Sequence, residues 1–209
     1  MTDDKSILPI SDEQAKLGQE ILKAFSGLGS FFKEALGSVP SDLIGYLGGD
    51  WLRMRRAENI ARMMSLAQEK LESRGVRDRE PASLTLALPI LRGAADESRK
   101  ELQDLWARLM AATLDPSRAR NVRQGFAEAI SKMDPIDAIV LNYLKDEAVS
   151  TIFQSQNTPD ISASKLGIST DELQASIWNL TRIGLAADIN QYAKGATAFG
   201  REFLRVVSD

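Results

Sequence analysis

Apolar residues recur at steps of three or four along most of this chain, which is the period of one face of an α-helix. Leu17, Ile21, Phe25, Leu28, Phe32, Leu36 and Val39 make the first such stripe. It predicts a helix of about 25 residues, opened by a capping box at Ser11 and Gln14 and ended by Pro40. A second stripe runs through Leu43, Leu47, Trp51, Met54, Ala61, Met64 and Leu71. Its helix would be capped by Ser41 or Asp42 and stopped at Gly75. Both segments hold unusual glycine for helices: Gly18, Gly27, Gly29 and Gly37, then Gly45, Gly48 and Gly49. Each costs about 1 kcal/mol against alanine, so packing must supply what propensity withholds. The pair predicts an antiparallel hairpin over residues 11–75.

Next, LTLALPILRGAA predicts a short helix bent at Pro89. DESRKELQDLWARLMAATLDP is the clearest helix of the chain. Asp96 is its expected cap, Leu102, Leu105, Trp106, Leu109, Ala112 and Thr113 its buried stripe, and Asp115-Pro116 its stop. Val122, Phe126, Ile130 and Met133 predict a further helix from about Asn121 to Met133.

At Asp134-Pro135 the chain restarts with an N-cap and a proline at the first helical position. Ile136, Ile139, Val140, Tyr143 and Leu144 are the expected inner face of that helix. SASKLGISTDELQASIWNLTRIGLAAD, Ser162 to Asp188, then has helix-turn-helix spacing. Gly167 makes the turn, a second helix runs from about Thr170 to Arg182, and Ile177 and Trp178 are read as core. After Gly184 come a strand, a turn at Lys194-Gly195, a second strand and a closing helix. The expected fold is mainly α. A helical region, 1–132 (the hairpin plus helices over about 84–133), precedes a winged-helix-like module with a small β-hairpin, 133–209.

Composition narrows the chemistry. The 209 residues include no cysteine and no histidine, which removes disulfides, thiol nucleophiles, the usual zinc ligand sets and histidine-based catalysis. The carboxylate pairs Asp96-Glu97 and Asp146-Glu147 are adjacent, so on a helix they point in different directions. GLGSFF lacks the preceding strand and the lysine of a phosphate-binding loop. No catalytic constellation, cofactor site or metal site is expected, and the chain reads as a non-enzyme. The acidic start MTDDKSILPISDEQ does not read as a signal peptide. Uncharged apolar-leaning stretches reach about a dozen residues, where a span needs roughly 20. A cytoplasmic protein without a transmembrane segment is expected. Peripheral contact of the N-terminal helix with the inner membrane stays open, although its polar face mixes Glu20, Lys23, Lys33 and Glu34.

Charge tempers the helix-turn-helix reading. The whole chain carries −3, and from Asp134 onward ten acids face six bases. Duplex DNA is held mainly by Lys and Arg on phosphates, and the start of the second helix enters the groove. Here that start is Asp171-Glu172. A protein partner (including self-association) is therefore favoured over nucleic acid. In the alternative, a DNA-binding regulator, the contacts would be Lys165, Arg182 and Lys194. The densest positive run, Arg53, Arg55 and Arg56 with Arg62, is either a patch for an anionic partner or a solvated helix face paired with Glu58.

Three segments carry a family resemblance: Asp50-Trp51 opening a helix, Leu102 to Leu109 with Asp115-Pro116, and Pro135-Ile136-Asp137-Ala138. With TAFGREFLRVV at the end, they resemble the Abi-alpha family of bacterial proteins linked to phage abortive infection, over roughly 47–207. The resemblance implies a role in antiviral defence and supplies no catalytic residues.

Overall fold

The computed structural model describes residues 29–36, 50–144, 163–190 and 193–208. In chain order these hold α1 (Gly29–Leu36), α2 (Asp50–Ser73), α3 (Leu84–Asp96), α4 (Lys100–Leu114), a 3-10 turn (Ala119–Asn121), α5 (Gln124–Ser131) and α6 (Pro135–Tyr143). A helical turn at 163–166 follows, then α7 (Thr170–Arg182), β1 (Ala186–Asn190), β2 (Ala193–Ala196) and α8 (Ala198–Val207). The fold is mainly helical, with one small antiparallel hairpin near the C-terminal end.

The Trp106 helix, α4, is the hub. It touches α2, α3, α5, α6 and α8, and every residue from Leu109 to Asp115 is buried. Helix turns buried on all sides in this way lie inside a bundle. The long α2 packs on it through Ile60, Met63, Met64, Ala67 and Leu71, all at 0% exposure. Lys70 Nζ adds an ion pair to Asp104 of α4 at 2.6 Å. One cluster of buried side chains runs from Phe31 to Val207.

Three predicted chain reversals rest on glycine. Gly75, Gly167 and Gly184 take φ of 71°, 69° and 81°, a region other residues enter only with strain. At Gly75 the Val76 N–H donates to Leu71 O and the Gly75 N–H to Glu72 O, the Schellman closure of α2.

Little of the predicted N-terminal hairpin lies within the described residues. The stripe positions Leu17 to Leu28 and Leu43 to Leu47 fall outside them. Of α1, Phe31 and Ala35 are buried, and Ala35 O accepts the Ala82 N–H. Arg79 lies over the Phe31 ring at 5.2 Å and pairs with Glu34 and, from the far end of α2, Glu72.

The structure corrects several local expectations. Asp96 is the last residue of α3, not the cap of α4. The break falls on the next three residues, where the Glu97 carboxylate accepts the N–H groups of Ser98 and Arg99. The Asn121–Met133 helix is shorter: a 3-10 turn ends at Asn121 and α5 begins at Gln124. Ile139 is 40% exposed; the inner face of α6 is Asp137, Val140 and Leu141. Lys194 and Gly195 are not a turn. They lie in β2, opposite Asp188 and Ala187.

Asp137 explains the α6–α7 junction. Its carboxylate is 2% exposed and accepts from the Asp134 N–H, Ser176 Oγ and Asn179 Nδ2. A buried carboxylate is tolerable when its oxygens are filled this way. The capping box that opens α6 is thus also its tie to α7.

Two further features fasten α8 to the helical body. Phe126 of α5 meets Phe199 and Phe203 of α8, with ring centroids 5.0 and 5.4 Å apart. At the other end, Arg74 and Arg118 donate to Ser208 O at 2.9 and 2.6 Å, and Arg108 to Val207 O at 3.2 Å. The last carbonyls of a helix lack internal partners and carry its negative dipole end. Three guanidiniums, one from α4 and two from the turns after α2 and α4, fill that need.

Candidate functional surfaces

The positive run on α2 splits by helix geometry. Arg53 and Arg56 are half-buried, while Arg55 and Arg62 are exposed. Arg56 Nε donates to Asp96 of α3 at 2.6 Å. Arg55 stands 3.9 Å from Glu58. Arg56 thus sits at the α2–α3 seam.

The predicted contacts for DNA are equally dispersed. Lys165 is exposed on the turn before Gly167, and Arg182 is exposed at the end of α7. Lys194 belongs to β2; its side chain lies outside the described residues. From Asp171 to Arg182 the helix advances roughly 17 Å at 1.5 Å per residue. The leading end of α7 is a capping box: Ser169 Oγ accepts the Glu172 N–H, and the Glu172 carboxylate accepts the Ser169 N–H. Glu172 is thus committed to the cap, and hydrogen bonds from Ser169 hold its carboxyl below the usual range.

Trp178 is 67% exposed, against the expectation that it is core. Leu173, Ser176, Ile177 and Leu180 face inward, and Trp178 lies on the opposite side. Its ring carries the Arg182 guanidinium at 5.6 Å.

A cleft of about 670 Å³ opens between α3, α4 and α5, lined by Arg92, Glu97, Arg99, Trp106, Gln124 and Glu128 among others. Within it Glu97 accepts Arg99 Nε and Nη2, both at 2.9 Å. Arg99 also reaches Asp134 at 3.0 Å. Burial alone would push the Glu97 carboxyl up; the hydrogen bonds and charge of Arg99 outweigh it and hold it below the ordinary value of 4.5. The Arg99 guanidinium is pushed up in turn. Since the folded value is the lower one, the stabilisation is present above pH 4.5 and is lost as pH falls through the folded value. Thermal unfolding from pH 7 to pH 3 should therefore show a smaller acid decline in Glu97→Gln than in the parent. Parallel curves would refute this assignment.

A second cleft, of about 640 Å³, lies between α4, α6 and α8. Among the described residues no group of carboxylates could hold a metal ion. The buried pair Ser176–Asp137 is closed to solvent and shares its carboxylate with Asn179.

The family profile described as abortive infection alpha matches residues 55–207. That span contains α3 to α8 and most of α2. The chain belongs to the abortive infection alpha family. No curated protein and no solved structure matches it. In this family member the segments that carried the resemblance are structural: Trp106 fills the bundle centre and Asp137 ties α6 to α7. Asp50-Trp51 lies ahead of the matched span. No helix among the described residues is long and apolar enough to cross a membrane. Sequence reasoning missed the Glu97–Arg99 cleft. Adjacency ruled Glu97 out as an acid/base partner for Asp96, but nothing local announced its pairing with Arg99.

Proposed function

We propose that this chain is a non-enzymatic bacterial abortive-infection protein that acts through protein contacts. The abortive-infection role follows from family membership over 55–207. The protein-contact reading rests on α7. Its leading end presents Asp171 and a committed Glu172, and a solvated tryptophan with a stacked arginine stands on its outer face. Acids at the leading end oppose phosphate, whereas exposed Trp and Arg are the residues that dominate protein interfaces. Membrane direction through the N-terminal residues is a finer part of the proposal, and so is a cytoplasmic location.

The test is infection of cells expressing the full chain, its Trp178→Ala variant, or neither. The reading expects reduced plaque formation, collapse of the culture at high phage multiplicity, and loss of both with Trp178→Ala at unchanged protein level. Plaque formation equal with and without the parent chain would sink the role. Protection retained in full by Trp178→Ala would sink the α7 contact. Depolarisation in a dye assay after infection is the result expected of a membrane-directed step, and an unchanged potential during collapse would remove it. A salt-sensitive shift of duplex DNA, lost with Arg182→Glu or Lys165→Glu, would replace the protein-contact reading with the regulator.

A further inference from the structure

The outer face of α7 is self-complementary, and the geometry points to a second copy of this chain as its occupant. At 100° per residue, Asp171, Gln174, Ala175, Trp178 and Arg182 fall within about 100° of one another on the helix circumference. All five are exposed, and Leu173, Ile177 and Leu180 lie on the opposite side, buried. The stripe is acidic at its start, aromatic past its middle and basic at its end.

Two antiparallel copies related by a two-fold axis place residue i of one beside residue j of the other whenever i and j sum to a constant. An axis between Ser176 and Ile177 makes that constant 353, and four of the five stripe positions then meet a suitable partner. Asp171 meets Arg182, an ion pair formed twice. Trp178 meets Ala175, a large side chain over a small one, also twice. Such isologous pairing is how most homodimers form, and a central Trp ringed by charged pairs is the usual anatomy of their energetic core. The same stripe offers a nucleic acid an acid where phosphate would lie, so charge favours the second copy. One helix face is a small contact, below the roughly 1,200–2,000 Å² that stable interfaces bury. The dimer is therefore weak and reversible. This inference names the partner of the α7 contact proposed above and rests on that reading; sedimentation reads association directly, so its failure is distinguishable from failure of the infection test.

Sedimentation of the purified full chain over a rising concentration series tests it, with far-UV circular dichroism melts to check folding. The parent should self-associate reversibly. Trp178→Ala should weaken association by roughly thirtyfold, as for loss of a central interface tryptophan. Asp171→Arg and Arg182→Asp should each weaken it, and the double variant D171R/R182D should regain it, because both pairs are then reversed together. A monomeric parent throughout the series would overturn the proposal. So would association indifferent to Trp178→Ala, or a double swap no better than its singles. If the parent stays monomeric but binds a labelled oligonucleotide, more tightly with Asp171→Arg and less with Trp178→Ala, α7 is a nucleic-acid face and the second copy is excluded.

Discussion

Replacing Gly200 with alanine is expected to be among the most destabilising single-methyl additions in this chain. Gly200 lies in the first turn of α8, and its N–H donates to the capping Thr197 Oγ1 at 2.8 Å. A Cβ there would overlap the Leu185 carbonyl oxygen and stand 3.0 Å from its carbon. The obstacle is backbone, so no rotamer change relieves it. Nor is Leu185 free to move. Its N–H donates to Leu180 O, its carbonyl accepts the Thr197 N–H, and its side chain is fully buried. Relief requires parting α8 from the end of α7, which breaks the cap and disturbs the Phe126–Phe199–Phe203 contact. Overpacking of this kind costs about 3 kcal/mol or more. For a chain of this size that lowers the melting midpoint by roughly 6–12 °C. Gly125→Ala is the control, because its Cβ would meet only the Phe199 ring edge at 3.4 Å; its effect should stay within about 1 kcal/mol. Urea unfolding of the two variants decides the matter. A Gly200→Ala midpoint equal to that of Gly125→Ala would show that α8 does not sit on Leu185 as described.

Trp106→Ala should cost about 3–5 kcal/mol, the range for emptying a large aromatic site. The more discriminating result lies in its coupling to Gly93. The indole, 2% exposed, lies against the backbone of α3, and a Cβ on Gly93 would overlap its Cζ2 and Cη2 atoms. Alone, Gly93→Ala must displace a buried ring and should cost about 1–3 kcal/mol. With Trp106 already removed, the same methyl enters the void and adds about 1 kcal/mol of helix propensity. Its sign should therefore reverse. The double variant should be more stable than Trp106→Ala, with a coupling energy above the roughly 0.5 kcal/mol that separates contacts from independent sites. Additive costs would mean that the ring does not rest on Gly93.

These variants test scaffold positions, and they bear on function through folding. A family member that loses several kcal/mol loses abundance in the cell before any contact surface is altered. Changes on the outer face of α7 should act in the opposite sense, sparing the fold while removing the contact proposed for it.

Much of this architecture is written locally. The three-and-four spacing over Ile60 to Leu71 and Leu102 to Thr113 identifies α2 and α4, because one apolar side of each must be covered. Asp134-Pro135 marks the start of α6, and Gly75, Gly167 and Gly184 mark reversals, since cap chemistry and positive φ belong to single residues. The misread positions share a cause. Trp178 and Ile139 are large and apolar, but each is off the stripe of its own helix. Leu173, Ile177 and Leu180 point away from Trp178, whose neighbours one turn away are Gln174 and Arg182. A helical wheel would have placed it outside; hydrophobicity alone placed it inside.

What the sequence determined by itself is a mainly helical chain with a small C-terminal hairpin, the stops of α2 and α4, the capped start of α6, and an acidic leading end on α7. Those follow from periodicity, capping and charge, which act over a few residues. Only the tertiary structure decided that Gly93 makes room for Trp106 and that Gly200 makes room for Leu185. It likewise decided that Glu97 turns to Arg99, that three arginines gather on the last carbonyls of α8, and that α7 keeps a tryptophan in solvent. Each of these depends on which surfaces meet across the bundle, and close packing sets that through contacts between residues far apart in the chain.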